Sequence, residues 1–274
     1  MNVDVAAFNT LEAGPWDQSR ADTSRHIGYL KNFVHPDIAV GLNFLDVSSG
    51  ANIRVRGLAE DVTEDAMTIH LQSWSETSLY GAGCITLRAD SDDPDFHIGQ
   101  FQASGVKPKA SAQIQFERVF SSPPQVVVWL NILDMEKGKN WRVNATATDI
   151  TAKGFTVNLE TWDDTILYNA SASWIAYPSD KEGVASGTYS TYDSRSSGDN
   201  PPLNSGRVNF PPGRFARTPK VLVALNNLDF DARHNLRIKL GADSVSPDGF
   251  DWHIDSWDDT IMYAGGVSWL ALDY

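Results

Sequence analysis

Apolar and polar residues alternate along this chain with a period of two. In VVVWL, Val126, Val128 and Leu130 share one face; in FTVNLETW, Phe155, Val157 and Leu159 do; in YNASASWIA, Tyr168, Ala170, Ala172 and Trp174 do. Such alternation marks half-buried strands, and no segment carries a helical stripe. The strands are short and separated by clusters of Gly, Pro, Asp and Asn, which predicts turns and an antiparallel sandwich.

The pattern itself recurs. IAVGLNFLD (Ile38 to Asp46) is echoed by VVVWLNILD (Val126 to Asp134) and VLVALNNLD (Val221 to Asp229). Eight residues after each closing Asp stands an arginine, Arg54, Arg142 and Arg237, and twenty further on a tryptophan, Trp74, Trp162 and Trp257. A tyrosine follows each tryptophan at the sixth position: Tyr80, Tyr168 and Tyr263. Arginines and tryptophans keep the same spacing, 88 residues and then 95, a register that chance does not produce. The chain is therefore read as all-β, three tandem repeats over 1–92, 93–180 and 181–274, each a six-stranded antiparallel sandwich. A sandwich of about 90 residues buries only a modest fraction of its surface. The repeats are expected to dock around a pseudo-threefold axis, as an intramolecular trimer, with open stacking as the competing arrangement. The expected linkers are the acidic turn Asp90 to Asp95 and the stretch Pro178 to Gly187.

Composition narrows the function classes. Of the 274 residues, 22 are Lys or Arg and 35 Asp or Glu, a formal charge of −13, so no basic field exists to hold a phosphate backbone and nucleic acid is excluded as a partner. Apolar residues at 42%, with 20 Gly and 13 Pro, fit a folded, turn-rich chain rather than a disordered one. The single cysteine, Cys84, is expected to be an inert core residue. The first residues lack the basic and apolar regions of a leader, and no apolar run approaches the ~18 residues of a membrane span. The expectation is a cytoplasmic or leaderless secreted protein without membrane insertion.

The recurrent polar and aromatic residues carry the candidate chemistry. Each Trp-x-x-Thr-x-x-Tyr reads as a hairpin tip, with Asp163-Asp164 and Asp258-Asp259 as turn residues, so that Trp162 and Tyr168 would form one aromatic wall near the loop. The arginines sit in otherwise apolar strands and need partners, whether a structural ion pair or a pair of ligand hydroxyls held by the guanidinium fork. The adjacent acids also admit a glycoside hydrolase, but repeat 1 replaces them with Ser75-Glu76, which argues against catalysis. No metal-ligand spacing of histidines is present, the Asp90 to Asp95 run reads as an exposed linker before a calcium loop, and no cofactor is implied.

The run of Leu-Asp, Asn-Leu-Arg, Gly-Phe, Ser-Trp-x-x-Thr-x-x-Tyr and Ser-Trp-Leu-Ala resembles the H-type lectin domain, most closely in repeat 3 (Asn235-Leu236-Arg237, Gly249-Phe250, Ser256-Trp257, Ser268-Trp269-Leu270-Ala271). Repeat 1 departs, with Ala66-Met67 for Gly-Phe and Ile85-Thr86 for Ser-Trp. The resemblance implies six-stranded sandwiches grouped in threes that bind galactose or N-acetylgalactosamine in clefts between neighbours, the partners being terminal glycans. It implies that an Asp and the strand Arg come from one unit, and that the Trp, the residue after it and the Tyr come from the next. Carried over by motif, the sugar-binding set is Asp22, Arg54, Trp74, Ser75, Tyr80, Arg142, Trp162, Asp163, Tyr168, Asp199, Arg237, Trp257, Asp258 and Tyr263. Asp22 and Asp199 each precede a Phe, Phe33 and Phe210, by eleven residues; the same count back from Phe116 reaches Gly105, so that Asp is expected to be lost. With Ser75, Asp163 and Asp258 also differing, the three clefts are expected to be inequivalent. An adhesion module binding protein surfaces, its Arg and Trp purely architectural, is the alternative, and further self-association is left open.

Overall fold

A computed structural model of the chain describes residues 1–196 and 198–273. Repeat 1 contributes β1 (Val3–Asn9), β2 (Asp22–Gly28), β3 (Pro36–Val47), β4 (Ile53–Glu60), β5 (Ala66–Gln72) and β6 (Leu79–Asp90). Repeat 2 contributes β7 (His97–Val106), β8 (Lys109–Gln115), β9 (Gln125–Met135), β10 (Trp141–Thr151), β11 (Gly154–Glu160) and β12 (Leu167–Tyr177). Repeat 3 contributes β13 (Val184–Ser190), β14 (Leu203–Asn209), β15 (Lys220–Phe230), β16 (Leu236–Ser246), β17 (Gly249–Asp255) and β18 (Met262–Leu272). Single 3-10 turns, Thr10–Glu12 and Thr191–Asp193, follow β1 and β13. Among the described residues no helix is long and apolar enough to cross a membrane.

No sheet belongs to one repeat. The three six-stranded antiparallel sheets run β1-β6-β3-β16-β17-β14, β13-β18-β15-β10-β11-β8 and β2-β5-β4-β9-β12-β7, so each is built from two three-stranded halves of different repeats. The seams are β3–β16, β4–β9 and β10–β15, one for every pair of repeats, which closes the ring and excludes open stacking. At each seam the Asp that closes the repeated strand lies opposite an arginine: Asp46 faces Arg237, Asp134 faces Arg54 and Asp229 faces Arg142. Joining halves this way pairs strand edges that an isolated sandwich would leave open.

The period-two alternation accounts for only one of the two buried faces. Val128, Leu130, Phe155, Val157 and Leu159 point into the sandwich interior as the pattern requires. The opposite face of β3, β9, β15 and their partners β6, β12, β18 is also buried, in a second cluster containing Val127, Trp129, Ile175, Leu222, Ala224 and Leu270 at the centre of the ring. Two buried faces explain the near-continuous apolar runs in these strands.

Two expectations change. The expected second linker is shorter than Pro178 to Gly187, because β13 starts at Val184. The Asp90 to Asp95 turn is not a solvated run: Asp90 accepts from the backbone N–H of Val34 at 2.6 Å, and Asp93, 5% exposed, accepts from those of Asp95 and Phe96 at 2.9 Å. Cys84 is buried, and burial pushes its thiol up to about 12, which removes thiolate chemistry at neutral pH.

Candidate functional site

The segment linking each tryptophan to its tyrosine is not a hairpin tip. β5 and β6, on either side of Trp74 and Tyr80, lie in different sheets, as do β11 and β12 around Trp162 and Tyr168, and β17 and β18 around Trp257 and Tyr263. The turn crosses from one half of the sandwich to the other, and each half continues into a different neighbour. The Trp and Tyr of one repeat therefore serve different clefts, which corrects the single aromatic wall expected of Trp162 and Tyr168.

The residue after each Trp makes the crossing possible. Ser75, Asp163 and Asp258 have φ of 57°, 52° and 57°, the left-handed region, which Asp tolerates better than most residues through its short polar side chain. The next acid reaches back to the strand arginine. Arg142 Nη1 donates to Asp164 at 2.8 Å and Arg237 Nη1 to Asp259 at 2.7 Å, while the threonine after each, Thr165 and Thr260, donates to a backbone carbonyl of its own repeat. The arginine holds Asp164 below the usual carboxylate range, and His234 with Arg237 holds Asp259 there, so both stay ionised acceptors rather than proton donors. In repeat 1 Glu76 replaces this acid, and among the described residues Arg54 forms an ion pair with Asp134 only.

Three clefts result, one per seam. Between repeats 3 and 1 lie Arg237, Trp257 and Asp258 with Asp46 and Tyr80 across from them, around a cavity of about 740 Å³. Between repeats 2 and 3 lie Arg142, Trp162 and Asp163 with Asp229 and Asp231 across, the Tyr263 hydroxyl donating to Asp231 at 2.8 Å. Between repeats 1 and 2 lie Arg54, Trp74 and Ser75, with Asp134 and Tyr168 across; the Arg56 guanidinium stands 5.8 Å from the Trp74 ring centroid and the Tyr168 hydroxyl donates to Glu136 at 3.2 Å. The division of labour thus differs from the expected one: Arg and Trp share a repeat, and the Tyr comes from the neighbour together with the Asp that closes its repeated strand. Tyr80 alone of the three tyrosines makes no side-chain hydrogen bond among the described residues, which leaves its hydroxyl free for a ligand.

The acids Asp22 and Asp199 are not equivalent. Tyr29, Phe116 and Phe210 each donate a backbone hydrogen bond to the turn that leads into β5, β11 or β17 (to Asp65, Lys153 and Asp248), and each packs edge-on against a second ring, Phe33, Phe120 and Phe215. Phe210 therefore matches Tyr29 rather than Phe33, and an eleven-residue count from Phe33 and Phe210 starts from different places. Asp22 opens β2, where β14 opens with Leu203 and β8 with Lys109. Its carboxylate lies 3.1 Å from His70 Nδ1, in the row Asp22, Gln72, Arg56 beside the cleft of repeats 1 and 2. Asp199 lies in the loop before β14, where Arg195 donates to its backbone carbonyl.

Sequence reasoning treated Asp46, Asp134 and Asp229 as landmarks only, yet they anchor the arginines. Arg142 Nε donates to Asp229 at 3.2 Å, whereas Arg54 and Arg237 stand 3.4 and 3.5 Å from their acids without hydrogen-bond alignment, leaving Oδ1 of Asp46 and of Asp134 unpartnered. The available signal was the fixed eight-residue offset between Asp and Arg in every repeat. All three acids are raised above 3.8, burial outweighing the arginine beside each. Such a group binds more protons folded than unfolded just above 3.8, so its contribution grows as pH falls through that interval and is lost as pH rises through it. Asp229→Asn, an uncharged mimic, should accordingly be more stable relative to wild type at about pH 7 than at about pH 4. Urea midpoints at the two pH values check this; the opposite trend would mean that attraction to Arg142 outweighs burial.

A model of the H-type lectin domain matches this chain three times, over residues 27–84, 111–177 and 205–272. A curated relative, "ATP synthase subunits region ORF 7" of Fuscovulum blasticum, is 38% identical over 61 residues, 22% of this chain and 53% of that protein, so the chain spans about half that relative's length. Among solved structures, wild-type discoidin II of Dictyostelium discoideum is similar at 15% identity and a TM-score of 0.27, covering 56% of this chain and 80% of its own. The native structure of recombinant discoidin II matches at 14% identity and a TM-score of 0.27, covering 64% and 95%.

Proposed function

Because the chain belongs to the H-type lectin domain family, whose model matches all three repeats, we propose that it binds galactose- or N-acetylgalactosamine-type glycans multivalently in its inter-repeat clefts. The observation that carries this reading is the convergence, at each seam, of an arginine and an indole from one repeat with an acid from the next, joined by a turn acid of the first repeat at the seams of Arg142 and Arg237. A guanidinium fork donates to the oxygens of two adjacent hydroxyls, a carboxylate accepts from them, and an aromatic face covers the apolar C–H side of the sugar ring. Arg237 and Asp258, 3.3 Å apart beside Trp257, offer that set in the cleft of about 740 Å³.

Charge-assisted hydrogen bonds contribute about 1.5–3 kcal/mol each, against an association cost of at least ~4 kcal/mol. A single sugar is thus held weakly, and several clefts on one rigid ring raise avidity by roughly 10²–10⁴. The clefts differ among the described residues: Arg142 is engaged by Asp164 and Asp229, Arg54 by Asp134, and of Tyr80, Tyr168 and Tyr263 the first has no side-chain hydrogen bond.

A glycan array of the wild type tests the sugar class, and two variants test the site. Trp257→Ala is expected to lower retention on a galactose or N-acetylgalactosamine matrix at least tenfold with an unchanged melting curve, given the ~1–3 kcal/mol such stacking contributes. Asp258→Gly removes the carboxylate while keeping the left-handed turn that alanine would strain, and is expected to do the same. Unfolding of both variants, or retention unaffected by either, would leave these residues an architectural role and favour adhesion through protein surfaces.

A further inference from the structure

We propose that the cleft between repeats 3 and 1 holds, beside the sugar position, an apolar subsite that takes an aryl group linked to that sugar, and that the other two clefts have no such subsite. The proposal rests on the carbohydrate reading above and specifies its ligand. The cavity, about 740 Å³, lies in the range of sites that enclose ligands larger than a single sugar ring.

Its lining joins polar side chains, Arg237, Asp258, Lys239 and Asp17 among them, to the apolar Phe44, Trp16 and Leu11. Phe44 lies parallel to Trp257, ring centroids 5.6 Å apart with 6° between planes. That placement depends on a missing side chain: a Cβ at Gly81 would stand 2.6 Å from Phe44 Cε1 and 3.6 Å from Leu11 Cδ2. The pairing is confined to repeat 1. At the position of Phe44, repeats 2 and 3 have Ile132 and Asn227; at the position of Gly81 they have Asn169 and Ala264. Asn227 faces Asn144 across its seam, the two side chains bonded at 3.4 Å, so the corresponding wall there is polar.

Trp16 and Leu11 come from the segment joining β1 to β2, and their side chains are 66% and 42% exposed although they line the cavity. In repeat 2 only two residues separate β7 from β8, so no corresponding segment reaches over the matching cleft. A flat aromatic group gains from parallel aromatic neighbours and needs no hydrogen-bond partners of its own. A second sugar lying over Phe44 and Leu11 would present hydroxyls to side chains that have no polar atoms. An aryl aglycone therefore fits this wall better than a longer oligosaccharide.

The test compares methyl and phenyl glycosides of the same sugar and anomer, for galactose and N-acetylgalactosamine, with a disaccharide ending in that sugar, by calorimetric titration of the full chain. Wild type is expected to prefer the phenyl glycoside by roughly tenfold at one site per chain. Phe44→Asn, which installs the residue of repeat 3, and Trp16→Ala, on an exposed segment outside the core, should each bring the phenyl-to-methyl ratio to about one. Equal affinity in wild type, a preference that survives both variants, or a gain for the disaccharide without one for the phenyl glycoside would overturn the subsite and leave the carbohydrate reading intact. Binding of none of the glycosides would overturn the carbohydrate reading and the subsite with it.

Discussion

Trp129→Ala is expected to destabilise the chain by about 3–5 kcal/mol, the cost of emptying a fully buried aromatic site. Trp129 has no exposed surface, and its indole N–H donates to the Ser268 carbonyl at 3.2 Å in the neighbouring repeat. It stands where the three repeats meet. Gly41 on β3, Trp129 on β9 and Ala224 on β15 hold matching positions, and a Cβ at Gly41 would come within 2.5 Å of the Ala224 Cβ and 2.9 Å of the Trp129 Cβ. One large residue, one small and one without a side chain share a space that three copies of any of them would overfill or leave hollow. The loss should appear as a fall on the order of 10 °C in melting temperature, at roughly 2–4 °C per kcal/mol for a chain of this size class. Gly41→Ala should cost about 1–3 kcal/mol by overpacking. Adding Ala224→Gly to it should recover part of that loss, since the nearest obstructing atom is then gone. Wild-type melting of both single variants would show that the centre repacks freely.

Arg88→Met should be comparably severe. Arg88 and Asp4 are each 1% exposed and paired at 2.5 Å, and the guanidinium carbon lies 4.5 Å from the Tyr29 ring centroid with Nη1 against Met67 Sδ. The same space is filled differently in the other repeats, where Trp174 packs on Phe116 and Phe155, and Trp269 on Phe210 and Phe250. Repeat 1 has Met67 and Thr86 at those Phe and Trp positions, so the ion pair explains why its motifs depart from the pattern. Removing one partner of a buried pair typically costs about 3–5 kcal/mol, because the remaining charge stays desolvated. Replacing both, as Asp4→Leu with Arg88→Met, should restore most of it by the same principle, and chemical denaturation of the two variants distinguishes these outcomes. A double variant as unstable as the single one would show instead that the backbone bonds Asp4 accepts from Val5 and Leu30 are what matter.

Much of the site was legible in one dimension. The fixed offsets of Arg54, Arg142 and Arg237 from Trp74, Trp162 and Trp257 picked out the residues that recur, but not that each arginine lies beside the tryptophan of its own repeat, since the resemblance implied that the two come from different units. The assignment of Tyr80, Tyr168 and Tyr263 was not legible, because the turn after each tryptophan changes sheets and an unpaired crossing looks, in sequence, like a hairpin. The pairing of Asp22 with Asp199 failed for a related reason. Phe33 is the second ring of its repeat, four residues after Tyr29, whereas Phe210 is the first ring of its own, so equal counts from unequal anchors join unrelated acids.

By itself, the sequence determined that the chain is three β-repeats with an arginine, an indole and a turn acid in constant register, because strand period and repeat spacing are properties of neighbouring residues. Only the tertiary structure decided that every sheet is shared between two repeats, that Tyr80 meets Arg237 rather than Arg54, and that Gly41, Trp129 and Ala224 fill one space together. Those outcomes depend on how half-sheets from distant parts of the chain join edge to edge, and no local pattern of apolar and polar residues encodes which edge a strand will find.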